Sequence, residues 1–328
     1  MRRAREIVFG LAAAWLFAPA SASAQIPTAT LAQANTYLQT GEADKALALL
    51  TPLPQTGSGA DQAQNLLCRV RFMLAEWDQA EPECQQAVKL SGQNSDYHMW
   101  LGRALGQQAN HASVFSAYGI AKHSLSEMQA AAQTNPKNGP ALSDLGDYYA
   151  QAPGIAGGGT DKAEQVALQL DKIDAARAAQ LRGDIAAHQK DYTTAEQQYR
   201  QAANVNPHPA DQWTVLAAFY LGQKRWSDLD TAIQNCVSAA AKDKTTGVAL
   251  YDGAGVLISA NRNPQLAATM LENYLAGSSQ NEDGPAFLAH IRLSRLKQQL
   301  GDAAGAKSEL AAAAAMAHEY NPAQDAKH

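Results

Sequence analysis

Chemistry in this chain has few places to start, and the three cysteines are the first. Cys68 and Cys84 fall at facing positions on the two helices of a single hairpin. In an oxidising compartment a bridge between them is the expectation, and two small buried thiols standing in for alanine are the other reading. Closing a loop of about 16 residues would add ~3 kcal/mol in the chain-entropy model. Cys236 has no partner at comparable spacing and reads as a buried free thiol. The run Gly157-Gly158-Gly159 could in principle offer backbone amides to a phosphate at the start of a helix near Asp161. No strand precedes it and no Lys-Ser or Lys-Thr follows, so a turn capped by Thr160 or Asp161 is expected instead. The eight histidines form no His-Glu-x-x-His or paired-cysteine pattern, and the chain carries no Gly-x-Ser-x-Gly or Ser-x-x-Lys motif. A cofactor, a metal and a catalytic constellation are therefore not expected.

The elements that would position these residues are helices, and they repeat. Gly183, Ala195, Tyr199, Ala202 and Pro207 stand at the spacings of a 34-residue helical-hairpin unit. In such a unit a small residue on the first helix faces Ala-x3-aromatic on the second. The next unit is in phase, with Trp213-x2-Leu216-Ala217-x2-Tyr220, Leu229, Ile233 and Cys236. The frame extends back through Tyr37, Ala46, Leu50, Cys68, Ala80, Cys84 and Ala87. Forward, it runs through Tyr251, Gly255, Ala267, Leu271, Tyr274, Leu293, Ser294, Ala306, Leu310 and Ala313. Two units, at 95–136 and 139–174, are irregular. The first carries extra residues near 109–120 with Phe115 and Tyr118, whose expected role is core packing, or else a lengthened helix that covers part of the groove or an outer partner surface. The second inserts 152–159 before Lys162-Ala163. About eight hairpins fit between Thr28 and Tyr320.

These spacings resemble those of tetratricopeptide repeat (TPR) proteins over nearly the whole chain. YHMWLGRAL at 97–105 and LSDLGDYYAQAPGIAGGGTDKA at 142–163 look like a subset of exported bacterial members, a resemblance that brings no activity with it. Leu229, where the family usually has alanine, departs from the pattern. The resemblance implies an all-α, right-handed solenoid of about eight TPR-like hairpins over 28–320, and binding of a protein or peptide segment. No single hairpin can bury its apolar face, so each stacks on its neighbours and the first helices line a concave face. On that frame the side chains turned into the groove are Arg69, Phe72, Met73, Met99, Arg103, Asp147, Arg177, Asp184, His188, Asp211 and Asp252, with basic residues leading in the N-terminal half and acidic ones in the C-terminal half. An extended peptide of opposite polarity would suit such a face, and a merely solvated surface is the bland alternative.

Residues 1–24 read as a cleavable signal: Arg2, Arg3 and Arg5, an apolar stretch over 7–20, and Ala22-Ser23-Ala24 before Gln25. The expected location is the periplasm or outside the cell, with no transmembrane segment after cleavage and a disordered tail over 321–328. The formal charge is −5, and losing three arginines and Glu6 makes the remainder more acidic, which argues against nucleic acid as a partner. The functional expectation is a non-enzymatic scaffold in envelope assembly or export. Its alternative is a small-ligand-binding or enzymatic protein using the 153–159 loop. Self-association through the alanine-rich last helix remains open beside a capping role.

Overall fold

The computed structural model describes residues 25–320 except 244–246, so the signal and tail assignments lie outside the described residues. Sixteen α-helices run through the described residues as eight antiparallel hairpins. The first pairs are α1 (Thr28–Gln39) with α2 (Ala43–Leu50), α3 (Ala60–Met73) with α4 (Trp77–Leu90), and α5 (Ser95–His111) with α6 (Val114–Thr134). Next come α7 (Gly139–Gln151) with α8 (Thr160–Leu170), α9 (Ala175–His188) with α10 (Tyr192–Val205), and α11 (Ala210–Gly222) with α12 (Trp226–Lys242). The last are α13 (Ala249–Ser259) with α14 (Pro264–Ala276) and α15 (Ala286–Gln299) with α16 (Ala303–Met316). The chain is a helical solenoid of TPR-like hairpins, as the repeat spacing predicts.

Why the hairpins form is visible in their turns. In six of them the amide three residues past the end of the first helix returns to the carbonyl five residues back: Glu42 to Tyr37, Glu76 to Arg71, Asp191 to Ala186, Arg225 to Tyr220, Arg262 to Leu257 and Asp302 to Lys297. This is the Schellman arrangement, and it needs a left-handed residue just before that amide. Gly41, Ala75, Lys190, Lys224, Asn261 and Gly301 supply it, with φ between 49° and 87°. The reversal is thus made in a few residues, and the second helix starts in a fixed direction.

Packing follows from small residues at the crossing points. A methyl group placed on Gly183 would lie 2.5 Å from the Tyr199 ring, so only glycine lets α9 and α10 come this close. Tyr199, Tyr220 and Tyr274 are buried beside Ala195, Ala217 and Ala267 in one continuous core from α9 to α15. Cys68 and Cys84 are bridged across α3 and α4, with Cα atoms 5.2 Å apart. Cys236 is fully buried next to the Ala249 carbonyl, and burial pushes its thiol up to about 12.

The curvature of the stack lies beyond the repeat frame: it continues until the last hairpin meets the first. Phe287, Ile291, Ala313 and Ala317 share a core with Leu31, Leu38, Ala43 and Leu66. At Gly41, which has φ +72°, an added Cβ would stand 2.6 Å from the Ala286 amide nitrogen. Asp44 accepts a hydrogen bond from the His318 backbone and faces its ring at 2.8 Å. The inner face of α16 is therefore spent on closing the solenoid, while Leu310 stays on its exposed side. No helix among the described residues is long and apolar enough to cross a membrane.

Candidate functional site: the enclosed concave face

Closure turns the concave groove into a lumen, and the loop at 277–285 between α14 and α15 reaches across it. Tyr274 Oη donates to the Gly284 carbonyl at 2.5 Å and Gln280 Nε2 to the Leu275 carbonyl at 2.7 Å, which hold the loop in place. Its Glu282 carboxylate accepts Arg69 Nε at 2.8 Å, a second Arg69 nitrogen, and Gln39 Nε2 at 3.2 Å. Arg69 and Arg103 both stack near Trp100, with guanidinium carbons 5.4 and 4.7 Å from the ring centroid, and Phe72 meets the same ring edge-on. Arg103 in turn donates to Asp144, Nε to Oδ2 at 2.6 Å and Nη2 to Oδ1 at 3.2 Å. Each of these two basic groove residues thus has an internal carboxylate partner before any ligand arrives.

Past that pair the lumen becomes acidic. Burial first, and the carboxylates of Asp184 and Asp144 second, push Asp147 up to about 7 against the pull of Arg177. Burial holds Asp184 at about 6 although Tyr199 Oη donates to it at 2.7 Å. Asp211 rises to about 6, again mainly through burial, and its Oδ1 is enclosed with no hydrogen-bond partner among the described residues. Asp252 reaches about 7 through burial and the nearby Asp211, with Arg292 opposing. Asp283 is also raised, by burial and by Glu282 and Asp144, while Arg103 and Arg69 pull the other way. Asp252 and Asp283 keep accessible surface, but it opens on the lumen, where protein on most sides withholds bulk water.

Two cavities open into this space and share Arg103 and Asp283. The smaller, of about 600 Å³, lies over Arg69, Met99, Trp100, Arg177 and Glu282. The larger, of about 930 Å³, rises between α5, α6 and α7 to the 152–156 segment. Its floor is Arg103, Asp144, Asp147 and Asp283, and its walls include Ala117, Tyr118, Ala121, Tyr148 and Ile155. It exists because the third and fourth hairpins lack the turn that the other six share. α5 and α6, 17 and 21 residues long, stand beyond the stack and join through extended Ala112 and Ser113. Between α7 and α8 the chain makes a short 3-10 turn at Gly154–Ala156, and Tyr148 Oη lies 3.0 Å from both the Ala121 and Ala156 carbonyls.

The structure gathers nine of the groove residues around this lumen: Arg69, Phe72, Met99, Arg103, Asp147, Arg177, Asp184, Asp211 and Asp252. Arg177 is held by Asp174 at 3.1 Å and lines the smaller cavity, and Met99 is largely buried beneath it. Met73 lies elsewhere, buried among Leu31, Leu66 and Leu74, because the end of α3 turns toward the first hairpin. His188 is at the end of α9 and lines neither cavity. Phe115 and Tyr118 do not pack in the core as expected: they are 99% and 45% exposed on the protruding part of α6. The glycine run also differs from expectation. Gly159 begins α8 without a side-chain cap from Thr160 or Asp161, and the amides of Gly157, Gly158 and Gly159 are spent on the carbonyls of Gly154, Pro153 and Tyr149. They are not turned outward to cradle an anion. Asp144, Trp100 and Arg292 were within reach of the repeat frame, since each sits on a first helix. Glu282 and Asp283 were not, because only closure of the ring brings their loop here.

No family model matches the chain, and neither does any curated protein. Among solved structures it is similar to a thermophilic TPR protein of Thermus thermophilus, at 20% identity over 59% of this chain and 98% of that one, with a TM-score of 0.49. It is also similar to a tetratricopeptide repeat protein from Parabacteroides merdae, at 11% identity over 89% of this chain and 93% of that one, with a TM-score of 0.41.

Proposed function

We propose that the protein is an exported, non-catalytic scaffold that holds a segment of a partner protein in its lumen, acting in the periplasm or outside the cell in envelope assembly or export. The observation that carries this is convergence: the first helices of successive hairpins point charged and aromatic side chains at one space, and part of it is an open cavity. A solenoid supplies such a surface as a by-product of stacking. The arginine residues Arg69 and Arg103 are already engaged, so the free contact area is the larger cavity and its rim rather than the whole groove. The apolar stretch and small-residue site within residues 1–24 support the location.

The test is crosslinking in the native envelope with the tagged protein, followed by mass spectrometry. A dominant protein partner is expected, and it should disappear when Tyr118 and Ile155 are both changed to Ser. The same partner captured undiminished by that variant would contradict the site, and recovery of the protein unprocessed in the cytoplasm would contradict the location. A second reading has one observation in its favour: the larger cavity falls within the size range of small-molecule sites. A saturable ligand that competes with the captured protein would bring that reading forward.

A further inference from the structure

The larger cavity has an order to its chemistry. At the outside stand Tyr118 and Ile155, the latter 79% exposed, beside the exposed amides of Asn110 and Gln151, with Phe115 beyond them at the free end of the hairpin. Farther in the walls are Ala117, Ala121 and Ala156. At the floor are three carboxylates, Asp144, Asp147 and Asp283, against one arginine. Arg103 is committed to Asp144 through two hydrogen bonds. Asp147 accepts no hydrogen bond or ion pair from any described residue, and its neighbour across the lumen is another carboxylate, Asp184. The lining of the floor thus holds three carboxylates to one arginine already committed to Asp144, and Arg177, which lines the smaller cavity, is the cation that pulls on Asp147. Lys122 on α6 turns its Nζ over the Tyr118 ring, 5.5 Å from the centroid.

A mouth with an aromatic and an aliphatic face among uncharged amides, over a floor where carboxylates outnumber arginine, matches one kind of side chain. Lysine and arginine have a long aliphatic stem ending in a charge, and they lay the stem on apolar surface while the head seeks water or a counter-ion. An acidic segment would meet repulsion at the floor, and a purely apolar one would leave Asp147 desolvated without compensation. Burial and the neighbouring carboxylates raise the ionisation of Asp147 against the pull of Arg177, and a further cation brought to the floor would lower it.

From this geometry we propose that the larger cavity is the recognition pocket for a long basic side chain, lysine or arginine, flanked by an aromatic or aliphatic residue in an extended segment of the partner protein. The basic head reaches Asp147 at the floor, and the flanking apolar residue rests on Tyr118 and Ile155. This inference rests on the scaffold reading above and adds the chemistry of the segment.

The experiment is selection of a displayed library of random nonapeptides against the purified full-length protein, followed by fluorescence anisotropy of the enriched peptides. The expected winners pair a lysine or arginine with an apolar neighbour. Their affinity should fall about tenfold or more in Asp147→Asn, the scale of a lost charge-assisted hydrogen bond. Tyr118→Ser with Ile155→Ser should weaken them as well, while Lys307→Ala on the exposed face of α16 leaves them unchanged. Thermal melts of each variant separate lost binding from lost fold, and Asp147→Asn is expected to fold because it removes a desolvated charge. Enriched peptides without basic residues, or basic peptides indifferent to Asp147→Asn, would overturn this inference and leave peptide binding standing. A library that yields no binder would overturn both. Sedimentation of the protein with phosphatidylglycerol vesicles, abolished by Phe115→Ser and present without any peptide binding, would place the rim on a membrane and overturn both as well.

Discussion

The six hairpins with a Schellman turn and the two without it are built from similar residues but use them differently. In the regular pair α9–α10, Gly183 admits the Tyr199 ring, and Tyr199 Oη is satisfied by Asp184. Next to it, Glu196 on α10 accepts hydrogen bonds from Tyr220, Arg200 and Arg225, so the polar ends of the aromatic residues are used within the stack. In the irregular pair α5–α6, Gly119 faces open space and Phe115 is bare. Where the repeat pattern is kept, side chains are consumed by stacking. Where it is broken, helices outrun their neighbours and surface becomes available to a partner, as expected when function is grafted on a scaffold.

Several substitutions would test that division. The largest effect is expected at the staple in the regular α3–α4 pair. Changing both Cys68 and Cys84 to Ala should cost about 3 kcal/mol by the loop-closure argument, read as a lower midpoint in urea under non-reducing conditions. Gly183→Ala should follow at roughly 2 kcal/mol of lost stability, because its methyl overlaps the Tyr199 ring. The same change at Gly119 should go the other way, gaining about 0.5 to 1 kcal/mol from helix propensity alone. Equal losses at the two glycines would erase the distinction between the regions.

The lumen carboxylates sharpen the comparison through pH. Asp147, Asp184, Asp211 and Asp252 have folded-state values of about 6 to 7, above those of the unfolded chain. The folded protein therefore binds more protons in that interval, and its stability declines as pH rises from about 4 to 7. In contrast, Glu196 is held down at about 2 by its arginine and tyrosine partners despite burial, so its contribution persists at neutral pH and is lost as pH falls from about 4 toward 2. A stability maximum on the acid side of neutrality is expected from melts across pH 4 to 8. Asp147→Asn should flatten the slope by about 1 kcal/mol over that range, well below the full shift because the lumen admits some water. A maximum at pH 8 with no slope in the wild type would show that these carboxylates are fully solvated. Smallest in stability is Phe115→Ser, expected within ~0.5 kcal/mol of wild type because the ring touches little.

Much of the architecture was legible because repeat spacing is a strong constraint. Gly183, Ala195, Tyr199 and Ala202 predict a hairpin from their order alone, and the structure places all four at the α9–α10 contact. The groove was legible only to first order. Helical phase tells which face a residue takes, so Arg103 and Asp184 could be assigned, but Met73 depends on how the end of α3 meets a different hairpin. Closure was not legible at all, since it accumulates from small rotations between repeats that no single spacing encodes. That is why Glu282, 213 residues from Arg69 in sequence, was missed as its partner. The exposure of Phe115 was hidden for a related reason: an insertion announces extra length but not whether the extra turn lands on a neighbour or in solvent.

The central claim is that partner contact belongs to the irregular hairpins and the regular ones are frame. Its most direct test is position-resolved photo-crosslinking in the native envelope, with a benzophenone amino acid placed singly at 118 or 155 and, for comparison, at the exposed frame positions 192 or 226. The account predicts a discrete protein adduct from 118 and 155 and none from 192 and 226. Adducts from the frame positions alone would contradict it.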